Sequence, residues 1–226
     1  FDNVEFGNIE AVRKAITENT AGILIEPIQG EEGIRPCSKE FIQELRKIAD
    51  ENNILLAFDE VQCGMGRTGH LFAYDYFDVK PDIIATAKAI AGGFPLGACL
   101  ATKEAASGMT AGVHGTTYGG NPLAMSVAES VLDVMLEKDF LTNVQKISHE
   151  LKSELEDLKN SFPDLIEEIR GIGLMIGIKL SSKVNNLDFI NTLIENDLLL
   201  VPAGENVVRI LPPLNITSQH KKRKKN

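Results

Sequence analysis

No stretch of this 226-residue sequence approaches the roughly 20 consecutive apolar residues that a membrane-spanning helix needs. Cysteine is scarce as well. Cys37, Cys63 and Cys99 make an odd set without the paired spacing of a zinc site. A disulfide framework is therefore not expected, and free thiols in a reducing compartment are. Positive charge is also short, with 23 basic against 32 acidic residues and a net charge of −9, which argues against a nucleic-acid binder. No internal repeat is evident, and no signal peptide opens the chain. Phe1 stands where a methionine would begin a complete protein. The expectation is a soluble cytoplasmic protein, seen in part.

What is present is an alternation of apolar runs and amphipathic stretches. Asn8 is placed to cap a helix over 8–18, with Ile9, Val12 and Ile16 on one face. A buried strand, Ile23-Leu24-Ile25, follows and is stopped by Glu26-Pro27. Ser38 caps a longer helix with Phe41, Ile42, Leu45, Ile48 and Ala49 on its apolar face. Asn52-Asn53 ends it before the strand Ile54–Phe58. Strand, helix, strand at this spacing predicts two parallel strands joined by a right-handed crossover. Such near-continuous apolar strands are expected to carry cover on both faces. Ile83–Ala87 and Ala98–Ala101 extend the sheet. Helices are expected from Pro122 and from Phe140. Beyond about residue 163, short strands around 166–170, 174–180, 198–201 and 207–210 surround one helix near 187–196, a smaller α+β domain. The division expected is 1–135 and 136–226.

Charged residues end three of the apolar runs: Glu26, Asp59 and Lys88. In open α/β sheets chemistry gathers at the carboxyl ends of strands. A carboxylate and a lysine at two such ends suit pyridoxal phosphate, which needs an acid on its ring nitrogen and an amine for its aldehyde. No Walker lysine follows the glycines of Gly64–Gly69, so an ATP site is not expected.

Four segments carry a family resemblance: Glu26–Glu31, Asp59-Glu60-Val61-Gln62-Cys63-Gly64-Met65-Gly66-Arg67-Thr68-Gly69, Lys88 with Gly92–Gly97, and His114-Gly115-Thr116-Thr117-Tyr118-Gly119-Gly120-Asn121-Pro122. In this order the chain resembles the class III (subgroup II, fold type I) pyridoxal phosphate aminotransferases over about residues 1–216. The resemblance implies an α/β fold: part of the large domain, with a mostly parallel sheet, followed by a small C-terminal α+β domain. It implies amino-group exchange between N-acetylornithine and 2-oxoglutarate, a step of arginine biosynthesis. The form of Gln62–Gly69 favours that amino donor over ornithine, 4-aminobutyrate and other omega-amino acids. It also implies a homodimer with shared active sites.

Residue by residue, the resemblance makes Lys88 the cofactor-bearing and proton-moving lysine, Asp59 the partner of the ring nitrogen, and Gln62 the ligand of the ring's 3-hydroxyl oxygen. Thr117 would reach the phosphate held by the neighbouring subunit, and Thr116 is an equally good donor on chemistry alone. Arg209 would bind the α-carboxylate of glutamate or 2-oxoglutarate, and Glu31 would pair with Arg209 while the other amino substrate is bound. Arg67 and Tyr118 read as structural, Glu26 as a hydrogen-bond acceptor behind the site.

Two departures stand out. The family's N-terminal half of the large domain is absent, and Ser218–Asn226, with the basic run Lys221–Lys225, has no apolar periodicity. Without that run the net charge is −14. An inactive fragment is the alternative expectation. A racemase, mutase or decarboxylase on the same scaffold is disfavoured by Arg209.

Overall fold

The computed structural model describes residues 1–218. The basic run Lys221–Lys225 lies outside the described residues. In chain order the elements are α1 (Ile9–Ala15), β1 (Gly22–Ile25), β2 (Ile28–Gln29), β3 (Arg35–Pro36), α2 (Lys39–Asn52), β4 (Leu55–Asp59), α3 (Ala73–Phe77), β5 (Ile83–Thr86), β6 (Ala98–Ala101), α4 (Pro122–Met135), α5 (Phe140–Ser161), β7 (Ile166–Ile172), β8 (Met175–Leu180), α6 (Asn186–Ile194), β9 (Val201–Ala203) and β10 (Val207–Ile210). They fall into two compact units. The first holds residues 1–27, 37–65 and 72–134; the second holds 28–36, 66–71 and 135 onward.

The first unit is built on a four-stranded sheet of order β1-β4-β5-β6. β1 and β4 pair in parallel, as do β4 and β5, while β6 runs antiparallel to β5. The crossover from β1 to β4 is α2, as the spacing predicts. Ser38 caps it by accepting a hydrogen bond from the Phe41 N–H, and Asn53 ends it in the left-handed conformation. Its buried side chains are Ile42, Leu45, Ile48 and Ala49. α1 is shorter than its apolar period suggests. Ile16 is already extended, with ψ 128°, as suits a β-branched residue beside Thr17.

The two faces of this sheet differ. Leu56, Phe58, Ile84 and Thr86 share the face that is buried. The opposite face carries Leu24, Leu55, Ala57 and Asp59, aligned with Ile83, Ala85, Cys99 and Ala101. Leu24 is 63% exposed there, and all of β6 is exposed. The expected cover on both faces is thus present on one face among the described residues.

The second unit is an antiparallel sheet of order β7-β8-β10-β9 with α5 against β7 and α6 against β9 and β10. Its core joins Leu155, Ile166, Ile176, Ile178, Leu180, Ile190 and Val208. β7 and β8 are linked by a tight turn in which Gly173 has φ +60°. A Cβ there would meet the Arg67 carbonyl oxygen at 2.3 Å, so only glycine fits. β9 lies at Val201–Ala203, a few residues later than the expected 198–201, because its pairing with Val207–Arg209 sets the register.

Candidate active site

In the first unit, Asp59 and Lys88 follow from the ends of adjacent parallel strands. Asp59 is the last residue of β4 and pairs with Ala85 of β5. β5 ends at Thr86, and Lys88 opens a short 3-10 turn, Lys88–Ala91. The lysine has φ 50°, a left-handed conformation that costs a non-glycine residue of order 1 kcal/mol or more. Such strain is kept at helix ends and turns, as at Asn53, and at functional residues. Its side chain is exposed. Small residues follow it, Ala89, Ala91, Gly92 and Gly93, which leave room near its stem.

Asp59 is half-buried, and its Oδ1 accepts a hydrogen bond from the Val61 N–H at 2.9 Å. That bond starts the turn bearing Gln62, which is also half-buried. Cys63 is buried and directs its thiol at the Asp59 carbonyl oxygen, 3.8 Å away. It serves as packing. Thr116 and Thr117 lie apart from these groups in sequence, on an exposed segment before α4. Asn121 caps that helix by accepting from the Ala124 N–H, and Pro122 takes its first position.

Glu60 is a residue that sequence reasoning passed over. It is fully buried, and both carboxylate oxygens are engaged. Oε2 accepts from the Ala73 N–H at 2.5 Å and Oε1 from the Tyr74 N–H at 3.0 Å. Burial pushes its carboxyl up to about 7, against the pull of those two donors. Strand alternation was the available signal: the residue after Asp59 must face away from it, toward the packed side.

In the second unit, Arg209 of β10 and Glu31 are brought together across 178 residues of sequence. Nη1 lies 2.6 Å from Oε1 and Nη2 3.3 Å from Oε2, a two-point pairing. The burial is one-sided. The Arg209 side chain is 8% exposed and that of Glu31 is 72% exposed. The carboxylate is open to solvent, whereas the Arg209 side chain is buried. Arg67 is spent on structure: its Nη1 donates to the carbonyls of Leu174 and Pro212. Burial lowers it to about 10.

The comparisons with known proteins decide the family. A model of the aminotransferase class-III family matches residues 3–224.

This chain belongs to the class-III aminotransferases.

It is 57% identical over 219 residues to the acetylornithine aminotransferase of Agrobacterium fabrum, covering 97% of this chain and 54% of that protein. Among solved structures it resembles the N-acetylornithine aminotransferase of Stenotrophomonas maltophilia, with TM-score 0.86, 36% identity and coverage of 96% and 57%. The ornithine aminotransferase of Toxoplasma gondii is matched with TM-score 0.90 and 31% identity, over 96% of this chain and 52% of that one. That structure shows pyridoxal phosphate at partial occupancy in its active site. The chain therefore spans about half the length of the relatives it matches. Its first unit, with a mostly parallel sheet, is part of the fold type I large domain.

The residues present fit that cofactor. The strand-end carboxylate Asp59 suits a protonated ring nitrogen, and the exposed lysine just after the adjoining strand suits an aldehyde. Among the described residues no group of acids, histidines and cysteines is arranged to hold a metal ion. No helix among them is long and apolar enough to cross a membrane.

Proposed function

We propose that this chain carries the lysine and the ring-nitrogen acid of a pyridoxal phosphate-dependent aminotransferase that exchanges an amino group between N-acetylornithine and 2-oxoglutarate. Asp59 and Lys88 at the ends of two adjacent parallel strands carry this reading. The 57% identity to an acetylornithine aminotransferase supports the amino donor. Ornithine is the second candidate donor, supported by the likeness to ornithine aminotransferases.

Bound pyridoxal phosphate supplies an electron-accepting ring that stabilises negative charge developing at the amino-bearing carbon of the substrate. The chain's own groups do the rest. Asp59 would keep a proton on the ring nitrogen by pairing with it in a half-buried site, where the attraction is less screened than in water. Gln62 would hydrogen-bond the 3-hydroxyl oxygen. The Lys88 amine would hold the cofactor through its aldehyde and, when free, would take and return the proton at the substrate carbon. Arginine at that position would stay protonated and do neither.

Arg209 binds the α-carboxylate of glutamate and 2-oxoglutarate, and Glu31 occupies Arg209 while the other donor is bound. The shallow seat of Glu31 supports this exchange of partners. Thr117 reaches the phosphate of a second subunit's cofactor, with Thr116 able to take the substrate side. Both lie exposed just before a helix N-terminus, a setting suited to an anion. The assembly is a homodimer, supported by exposed Met109, Val113, Tyr118 and Leu123 around those threonines. Residues 1–135 form the C-terminal portion of the large domain and 136–226 the small one. The change of unit between Val134 and Met135 supports that division, with segments 28–36 and 66–71 grouped with the second. The cytoplasm is the compartment that suits a chain with an odd set of three cysteines and no disulfide framework.

The direct test is borohydride reduction of the chain after incubation with pyridoxal phosphate. The cofactor's mass is expected on the Lys88 peptide at one per chain, and Lys88→Ala is expected to lose it. Labelling that persists unchanged in Lys88→Ala overturns the assignment.

A further inference from the structure

Glu60 sits where three local structures meet, and none of its contacts is explained by the chemistry above. Its backbone N–H donates to the Ala85 carbonyl at 2.8 Å, tying the end of β4 to the strand that leads into Lys88. Its own carbonyl accepts from the Gly64 N–H at 3.0 Å, closing the turn that contains Gln62. Its carboxylate takes the N–H groups of Ala73 and Tyr74, the first two residues of α3. The residue before that helix, Phe72, makes no side-chain capping bond, so Glu60 does a cap's work from 13 residues away. The turn also rests directly on the Glu60 side chain. A Cβ added at Gly64 would lie 2.7 Å from the Glu60 carbonyl oxygen, 3.0 Å from its Cβ and 3.1 Å from Oε2. Glycine there is what lets the turn close down on the carboxylate.

Burying a carboxyl group costs free energy even when it is hydrogen-bonded, and burial pushes this one up to about 7. A neutral N-cap such as serine would satisfy α3 at less cost. A carboxylate of this length, however, reaches from the end of β4 to α3 and fixes both ends of the intervening loop at once.

We propose that Glu60 is a positioning residue, which holds the Val61–Gly64 turn so that Gln62 stays in register with Asp59 and with the strand leading to Lys88. Glu60 touches neither substrate nor cofactor; it acts through Gln62 and the turn. The inference rests on the reading of Gln62 and Asp59 as cofactor ligands.

The test uses the full chain and two variants, Glu60→Gln and Glu60→Ala. Glutamine keeps the volume and one acceptor, but its NH2 group faces a backbone N–H, donor against donor, so one of the two bonds to α3 is lost. Amide hydrogen exchange, measured without cofactor, is expected to speed up about tenfold at Cys63 and Gly64 as well as at Ala73 and Tyr74 in Glu60→Gln. Equilibrium titration with pyridoxal phosphate is expected to give an affinity about tenfold weaker, and weaker still in Glu60→Ala. Thermal melting separates positioning from bulk stability: the glutamine variant, relieved of a buried charge, is expected to melt no lower than the parent at pH 8. Exchange unchanged at Cys63 and Gly64, with cofactor affinity equal to the parent's, overturns the inference and leaves Glu60 as a helix cap. A parent chain that binds no cofactor overturns the functional reading instead, and the exchange experiment then decides the role of Glu60 by itself.

Discussion

At the scale of single residues, the charges of this protein divide by what surrounds them. The Glu60 carboxyl titrates near 7 when folded, against 4.5 for an ordinary glutamate. A folded-state value raised in this way means that the native protein binds the proton more tightly between those two pH values. The contribution of Glu60 to stability is therefore fully present below about 4.5 and is lost as pH rises through about 7, by an amount of order 3 kcal/mol. Denaturant unfolding at a series of pH values should show that decline, and Glu60→Gln should flatten it. A decline of equal depth in the variant would assign it to other groups. The Arg209–Glu31 pair differs in its setting, because its acid is mostly exposed while its arginine is buried. Arg209→Lys should raise KM for 2-oxoglutarate at least tenfold in active enzyme, since an ammonium cannot make the two-point contact. Glu31→Gln should lower the same KM by leaving the arginine uncovered. If both variants kept the parent's KM, Arg209 would not be the carboxylate site.

Elements show where local rules suffice and where they do not. α2 follows its sequence from cap to cap: Ser38 in front, a single buried face, and Asn53 closing it in the left-handed region. α3 has no such signal, since Ala73–Phe77 is too short to show a period and its start is fixed by Glu60 from a distant turn. In the second unit Asn206 plays a comparable part. It has φ 60°, its Nδ2 reaches the carbonyls of Leu180, Ser181 and Val184, and its Oδ1 accepts from the Asn186 N–H. Asn186 in turn donates to the carbonyls of Ala203 and Val207. Two asparagines thus join β8, α6 and the turn before β10. Asn206→Ala should destabilise the fold by about 2–3 kcal/mol, from unmet carbonyls and a strained φ, read as a lower midpoint of chemical denaturation. Asn206→Gly, which relieves the strain and not the lost bonds, should recover only part. A midpoint unchanged in Asn206→Ala would refute this account of the joint.

At the scale of the whole molecule, exposed apolar surface is the feature to be explained. Leu123 and Val134 stand out from α4 at 63% and 47% exposure, and Tyr118, just before it, at 81%. Exposed apolar surface of this kind suits an interface. If the proposed homodimer uses it, Leu123→Glu with Val134→Glu should weaken self-association at least tenfold in analytical ultracentrifugation, with the circular dichroism of the subunit preserved. A dimer of undiminished strength would place the interface elsewhere. The open face of the first sheet, with Leu24 and Leu55 exposed, is a second apolar surface. Parallel strands ordinarily have both faces covered, so here the apolar runs report a cover that the described residues supply on one side alone.

The sequence by itself determined β1, β4, β5 and β6 to within a residue at each end. Apolar runs of four or five residues stopped by Asp59 and by Lys88 need only the local pattern, and the crossover through α2 then makes the strands parallel neighbours. The motif order around Gln62, Lys88 and Thr117 pointed to the family that the comparisons show. Tertiary structure decided what depends on partners distant in the chain. It brought Glu31 to Arg209 across 178 residues, set the register of β9 by pairing with β10, and buried Glu60 against the start of α3. The first and the last share a reason. A charged or polar side chain can be buried only where donors or acceptors meet it, and those groups come from segments that local periodicity does not connect.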